Sequence, residues 1–145
     1  MVLRYFNTFG TRQSFTPYVG VITIFITRLL QKRPLTIFGD GLQTRDFTHV
    51  SDIVQANLLA LESPAAAGNV FNVGTGKGTT VLQIAEMLKS QIWPEAPAIH
   101  DAPRPEELRF SVAGISNIRS LLGYSPQTNL LSQIPEVIDF VKGTL

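Results

Sequence analysis

The chain has 145 residues, a formal net charge of +1, and 44% hydrophobic against 16% charged residues, with a mean hydropathy of +0.16. That mixture excludes a disordered tail and demands a well-filled core in one domain or part of one. The balanced charge, without a stripe of Lys and Arg, argues against nucleic acid as a partner. Cysteine is absent, so disulfides, thiolate metal sites and a cysteine nucleophile are excluded.

In chain order, "VLRYF" at 2–6 reads as a buried strand leading into a polar loop, "NTFGTRQSFTP". Arg4 and Asn7 interrupt this apolar start, so it is no signal-peptide core. From Tyr18 to Gln31 an apolar stripe through Val21, Ile22, Phe25, Ile26, Leu29 and Leu30 has helical spacing. Its apolar run stops at Arg28, short of the roughly 20 residues that a membrane span needs. A soluble, cytoplasmic protein with no membrane partner is expected. Pro34 is expected to end the helix, because the residue before proline avoids helical geometry.

"LTIF" and "RDFTHV" read as two short strands around a hairpin-like Gly-Asp-Gly turn. Ser51 is expected to cap a helix over 52–62, with Asp52 in its first turn. After "SPAAAGN" come a strand, "VFNV" at 70–73, the loop "GTGKGT", and a helix, "TVLQIAEMLKSQI". A loop with four prolines follows, then a strand near 108–112 and helices near 115–122 and 131–142. Alternating strands and helices imply an α/β class. Only two long buried strands are legible, so the chain reads as part of a sheet.

The glycine loop invites a phosphate reading. A dinucleotide fingerprint, G-x-G-x-x-G, would need glycine at Thr79, and in a mononucleotide loop Lys77 would follow the last glycine instead of preceding Gly78. The favoured reading is a tight strand–helix turn, with Thr79 or Thr80 capping the helix. The isolated His49 and His100 make no zinc site.

Four segments in one order, "LRYFNTFGTRQ", "GVITIFITRLLQKRPLTIFGDGLQTRDFTHVSDIVQA", "VFNVGTG" and "RPEELRFSVAGISNIRSLLGYSP", carry a resemblance over essentially the whole chain. They resemble the C-terminal half of extended short-chain dehydrogenases, the NAD-dependent epimerases and dehydratases of nucleotide sugars. The resemblance implies an α/β, C-terminal substrate-binding portion spanning 1–145, with a few strands and helices of a parallel sheet. The dinucleotide-binding domain would be incomplete. In the intact family enzyme the N-terminal part supplies a G-x-x-G-x-x-G loop for NAD and a Y-x-x-x-K pair. Here Tyr5, Tyr18 and Tyr124 are followed four positions later by Phe9, Ile22 and Thr128. NAD is therefore expected in the intact enzyme and not tightly on this chain alone, which is expected to be inactive by itself.

The resemblance also assigns roles. Asn7 matches a position meeting the sugar diphosphate, and Gly20 and Val21 line the nucleotide pocket at the helix start. Thr36 and Phe38 match the segment whose backbone reads the base. Arg45 and Arg104 match two arginines on the diphosphate or nearby ribose, a task suited to the guanidinium fork. Glu107 matches an acceptor for ribose hydroxyls, and Tyr5 and Phe6 lie near the nicotinamide end of NAD. Arg12 and Gln13 rank as secondary contacts. Asp46 reads as structural, bonded to backbone or to an arginine, and His49 as packed within its strand. Gly114 stands where the family often has an acidic residue. The ligand class implied is a UDP-sugar or related nucleotide sugar, with epimerase and dehydratase chemistry both open. A non-enzymatic module that self-associates or docks on an N-terminal half is the alternative, and a mononucleotide site at Gly74–Gly78 is a third.

Overall fold

The computed structural model describes residues 1–14 and 20–145. The sequence predicts a helix beginning at Tyr18, which lies outside the described residues. The described helix, α1 (Val21–Leu30), buries Ile22, Phe25, Ile26 and Leu29, four positions of the predicted stripe. It does not run to Pro34. Lys32 turns into the left-handed region (φ 55°), its N–H donates to Leu29 C=O, and Arg33 N–H donates to Arg28 C=O. Those two bonds satisfy the last carbonyls of the helix before proline can act.

The start of the chain differs from expectation. β1 (Val2–Tyr5) is mostly exposed, not buried, because only β6 (Val70–Val73) pairs with it, in parallel. The predicted polar loop instead begins with a second strand, β2 (Asn7–Phe9). It pairs in parallel with β5 (Phe47–His49), which buries Phe9.

β3 (Leu35–Phe38) and β4 (Thr44–Arg45) do not form a hairpin. Gly39 and Gly41 are left-handed (φ 65° and 74°), and Asp40 Oδ1 accepts from Leu42 N–H. β3 turns instead to β8 (Ala98–Asp101), a strand hidden in the proline-rich stretch whose four residues are all exposed. β4 lies between β7 (Thr79–Thr80), antiparallel, and β9 (Phe110–Ser111), parallel. The predicted single strand "RDFTHV" is divided at Asp46, whose N–H donates to Ser111 C=O before β5 begins.

The helix α2 (Val50–Glu62) is capped by His49, not Ser51. Ser51 sits inside the first turn, and its N–H donates to His49 Nδ1. Asp52 is buried there and accepts from the N–H groups of Gln127 and Thr128 and from the Thr128 hydroxyl. The helix α3 (Val81–Ile92) starts on a reciprocal Thr80–Gln83 capping box, one of the two caps expected. α4 (Ser116–Leu122) ends on left-handed Gly123, and α5 (Leu130–Thr144) is capped by Asn129. Two cores result. One joins α1, α3 and α5 around Phe9, Leu35, Ile37 and Phe47; the other joins α2, β6 and α4 around Phe71 and Tyr124. The fold is α/β, with four parallel strand pairings and one antiparallel among the described residues.

Candidate functional site

The first core places one face of α1 opposite β3 and β4, and a cavity of about 520 Å³ lies between them. Gly20 and Val21 line it from the helix start, and Thr36 and Phe38 from β3. Arg45 enters from β4, Asn7 from the start of β2, and Arg104 and Glu107 from the segment before β9. All eight residues assigned to substrate thus share one cavity. The sequence reading missed Arg28 and Gln43, which also line it. Arg28 sits seven residues after Val21 on the same helical face, a spacing that was available as a signal. A second depression of about 590 Å³ continues past Phe38, Gln43, Arg104 and Glu107 toward Asp40 and Arg109.

The polar groups of the cavity are ordered. Arg45 Nη1 donates to Leu108 C=O (2.6 Å) and Thr44 C=O (2.9 Å), and Nη2 pairs with Glu107 Oε1 (3.3 Å). Arg104 stacks its guanidinium on the Phe38 ring at 4.1 Å, an arrangement favoured by the ring's negative face. The charged lining is therefore three arginines, Arg28, Arg45 and Arg104, against the single carboxylate of Glu107. The N-terminus of α1 adds its first-turn N–H groups, with no side-chain cap among the described residues and no acidic residue in its first turn.

β3 offers backbone to the same cavity. Leu35 N–H and Gly39 N–H donate to Pro97 and Asp101 C=O, both at 2.9 Å, so the odd-numbered residues face β8. Alternation then turns the backbone groups of Pro34, Thr36 and Phe38 to the opposite edge. There Arg28 Nη1 donates to Pro34 C=O (3.0 Å) and Thr36 Oγ1 (2.9 Å), and Gln43 Nε2 donates to Phe38 C=O (3.1 Å). Between those two bonds, Thr36 N–H, Thr36 C=O and Phe38 N–H have no partner among the described residues.

Tyr5 and Phe6 lie apart from this cavity. With Asn7 and Ser111 they line an open depression of about 290 Å³, joined to the main cavity through Asn7, and Tyr5 donates its hydroxyl to Asn57 Oδ1 (2.9 Å). Gln13 accepts from the Thr23 hydroxyl (2.6 Å) behind Gly20, whereas Arg12 takes a left-handed conformation in the turn before it. His49 is buried between Ser51 Oγ and Glu136 Oε1, each at 2.8 Å. A Cβ on Gly114 would meet nothing within 4 Å, so the missing acidic side chain leaves open space.

The glycine loop is already occupied. Asp46, 0% exposed, accepts from Thr75 N–H (2.9 Å), Gly76 N–H (2.9 Å), Ala113 N–H (3.2 Å) and the Thr75 hydroxyl (2.6 Å). Tyr124 donates to Gly74 C=O (3.0 Å). Burial first, then the carboxylates of Asp52 and Asp46, raise its pKa above the ordinary tyrosine value. This loop does not fit a dinucleotide pyrophosphate, because the amides that would cradle it are committed to a carboxylate. Among the described residues no group of three His, Cys, Asp or Glu could hold a metal, and no helix is long and apolar enough to cross a membrane.

Known proteins share this fold along the length of the chain. A family described as the NAD dependent epimerase/dehydratase family matches residues 1–74. A putative UDP-glucose 4-epimerase of Methanocaldococcus jannaschii is 39% identical over 97% of this chain and 45% of its own. The crystal structure of UDP-glucose 4-epimerase with UDP-glucose from Thermotoga maritima superposes with a TM-score of 0.92 at 36% identity. That match covers 99% of this chain and 46% of the other. UDP-glucuronic acid 4-epimerase from Bacillus cereus, in complex with UDP-glucuronic acid and NAD, gives 0.90 at 35% identity, over 99% of this chain and 45% of the other. The chain thus spans a little under half the length of the relatives it matches. With the matched segment carrying β1 through β6, the chain belongs to the NAD-dependent epimerase/dehydratase family.

Proposed function

We propose that this chain is the nucleotide-sugar-binding portion of an NAD-dependent epimerase or dehydratase, with UDP-sugars as the ligand class. The observation that carries the reading is one cavity holding a free strand edge at one end and two arginines beside it. Thr36 C=O next to Phe38 N–H, an acceptor beside a donor, complements the N3–H and adjacent carbonyl of a uracil or thymine ring. Arg45 and Arg104 meet the diphosphate, assisted by the first-turn amides at Gly20 and Val21. Glu107 exchanges Arg45 for the ribose hydroxyls. Asn7 meets the sugar diphosphate where the cavity opens toward Tyr5 and Phe6, the face turned to the nicotinamide end of NAD.

What NAD supplies when bound is acceptance and return of a hydride. The residues of this chain hold the nucleotide and orient the sugar; a Y-x-x-x-K pair does not occur among them. The chain alone therefore binds without turnover, and epimerisation of UDP-glucose by the purified 145 residues would overturn that claim. Titration calorimetry with UDP tests the binding. Arg45→Ala removes a charge-assisted contact of roughly 1.5–3 kcal/mol and is expected to weaken UDP by about ten- to a hundredfold. Absence of UDP binding to the unaltered chain would sink the reading.

A second observation favours pairing with further structure. Among the described residues β1 is bonded on one edge only, and Val54, Leu58 and Leu61 of α2 stand exposed, Leu61 at 77%. Parallel strands are ordinarily covered on both faces and at their edges. A complementary N-terminal half, or a second copy, covers this side. Light scattering of a strict monomer at high concentration would count against self-association.

A further inference from the structure

We infer that Arg28 and Gln43 are specificity-determining residues that fix where along β3 a nucleobase is read. The inference rests on the base-reading role proposed for β3. An open strand edge is a repeating ruler. The C=O of one residue and the N–H two residues on form the same acceptor–donor pair at every step. Left uncovered, the edge from Pro34 to Phe38 presents this pair twice, once from Pro34 to Thr36 and once from Thr36 to Phe38. It also leaves the Phe38 C=O free beside the Phe38 N–H. A ring could then slide by one step and find new partners.

Both ends are closed. Arg28 bridges Pro34 C=O and Thr36 Oγ1, so its guanidinium consumes the first acceptor and stands across the path toward residue 34. Gln43, only 6% exposed, consumes the Phe38 C=O and stands at the other end. What remains is donor, acceptor, donor: Thr36 N–H, Thr36 C=O, Phe38 N–H. That order matches the two carbonyls and the central N–H of an imide, as in uracil and thymine. Cytosine fails in this frame, because its N3 lone pair would face the Thr36 lone pairs and its amine would face the Phe38 N–H. To satisfy both groups it must slide, for example to place N3 on Phe38 N–H and its amine on Phe38 C=O. The Gln43 carboxamide covers that carbonyl. Arg28 and Gln43 act through the backbone they cap, so they are positioning residues for the base.

The test is the ratio of CDP to UDP dissociation constants, measured by calorimetry on the unaltered chain and on Gln43→Met and Arg28→Met, with thermal melts to verify folding. The unaltered chain is expected to prefer UDP, and each variant to reduce that preference about tenfold, the equivalent of 1.4 kcal/mol. Arg28→Lys keeps a donor for Pro34 C=O and is expected to keep most of the discrimination. Folded variants with the parental ratio would overturn the inference and leave base reading at β3 intact. Failure of the unaltered chain to distinguish UDP from CDP would remove base reading itself, and the inference with it. If Gln43→Met does not fold, Arg28→Met decides alone, since Arg28 is only partly buried.

Discussion

Two regions of this molecule look in sequence like anion sites, and only one is open. At β3–β4, arginines and a bare strand edge border a cavity of about 520 Å³. At Thr75–Gly76, the backbone amides converge on one point as a phosphate loop's would, and that point is filled by the Asp46 carboxylate. Arg45 and Asp46 are neighbours in the chain, and successive strand residues point oppositely. One faces the cavity and the other plugs the loop. Backbone donors closed around a fully buried carboxylate define no open anion site.

The sharpest way to break this comparison is to remove the plug. Asp46→Ala leaves the Thr75, Gly76 and Ala113 N–H groups and the Thr75 and Thr48 hydroxyls without this acceptor. Each orphaned donor costs roughly 1–3 kcal/mol, so a loss of about 3 kcal/mol or more is expected by urea denaturation. Asp46→Asn keeps the shape but presents an amide NH₂ to some of those donors, and should fall between. A loss below about 1 kcal/mol for Asp46→Ala would mean that water replaces the carboxylate freely, and the loop would then count as an open site.

How far the sequence revealed each region differs for physical reasons. Spacing excludes both phosphate motifs at the glycine loop and leaves a turn with a threonine cap, and Asp46 reads separately as structural, bonded to backbone or to an arginine. The partners of Asp46, at 75–76 and 113, lie too far along the chain for local pattern to name. In the cavity, Thr36 and Phe38 came from resemblance, since backbone readout leaves no side-chain signature. Which β3 edge is free depends on β8, whose "AIHD" has all four residues exposed and shows no alternation between its flanking prolines. Arg28 and Gln43 escaped notice for a related reason. A cation on a helix and an amide in a turn ordinarily face water, and only the fold turns them onto β3. β1 misled in the other direction, since "VLRYF" is apolar enough for a core but lacks neighbours to bury it.

A second contrast lies within the loop itself. A Cβ on Gly74 would collide with the Ala113 side chain and lie 2.7 Å from Asp46 Oδ2, so Gly74→Ala must push apart the second core. Roughly 1–3 kcal/mol of destabilisation is expected from such overpacking. Gly76 (φ 75°) has its nearest neighbour at 3.4 Å, so Gly76→Ala carries mainly backbone strain, of roughly 1–2 kcal/mol. Both variants should bind UDP as the parent does, because neither touches the cavity. Phosphate binding lost in Gly76→Val and retained in Arg45→Ala would reverse the assignment of the two regions.

The smallest effect concerns a carboxylate at the rim, and it sharpens the contrast with Asp46. Arg109 grips Asp40 through two bonds, Nη1 to Oδ1 at 2.6 Å and Nη2 to Oδ2 at 2.8 Å. With the Leu42 N–H as a lesser cause, Arg109 lowers the Asp40 pKa from 3.8 to about 2, and the Arg109 pKa is raised in return. A carboxylate with a depressed pKa contributes stability that is present above pH 3.8 and lost as pH falls toward 2. Both side chains are solvent-exposed, so screening keeps that contribution small and the titration is the better readout. Arg109→Ala should move the Asp40 carboxyl titration, followed by NMR, upward toward 3.8 without reaching it, because Leu42 N–H still donates. A midpoint that stays near 2 would transfer the cause to the turn, and with it the anchoring of the rim from an exposed arginine to the Gly39–Gly41 backbone.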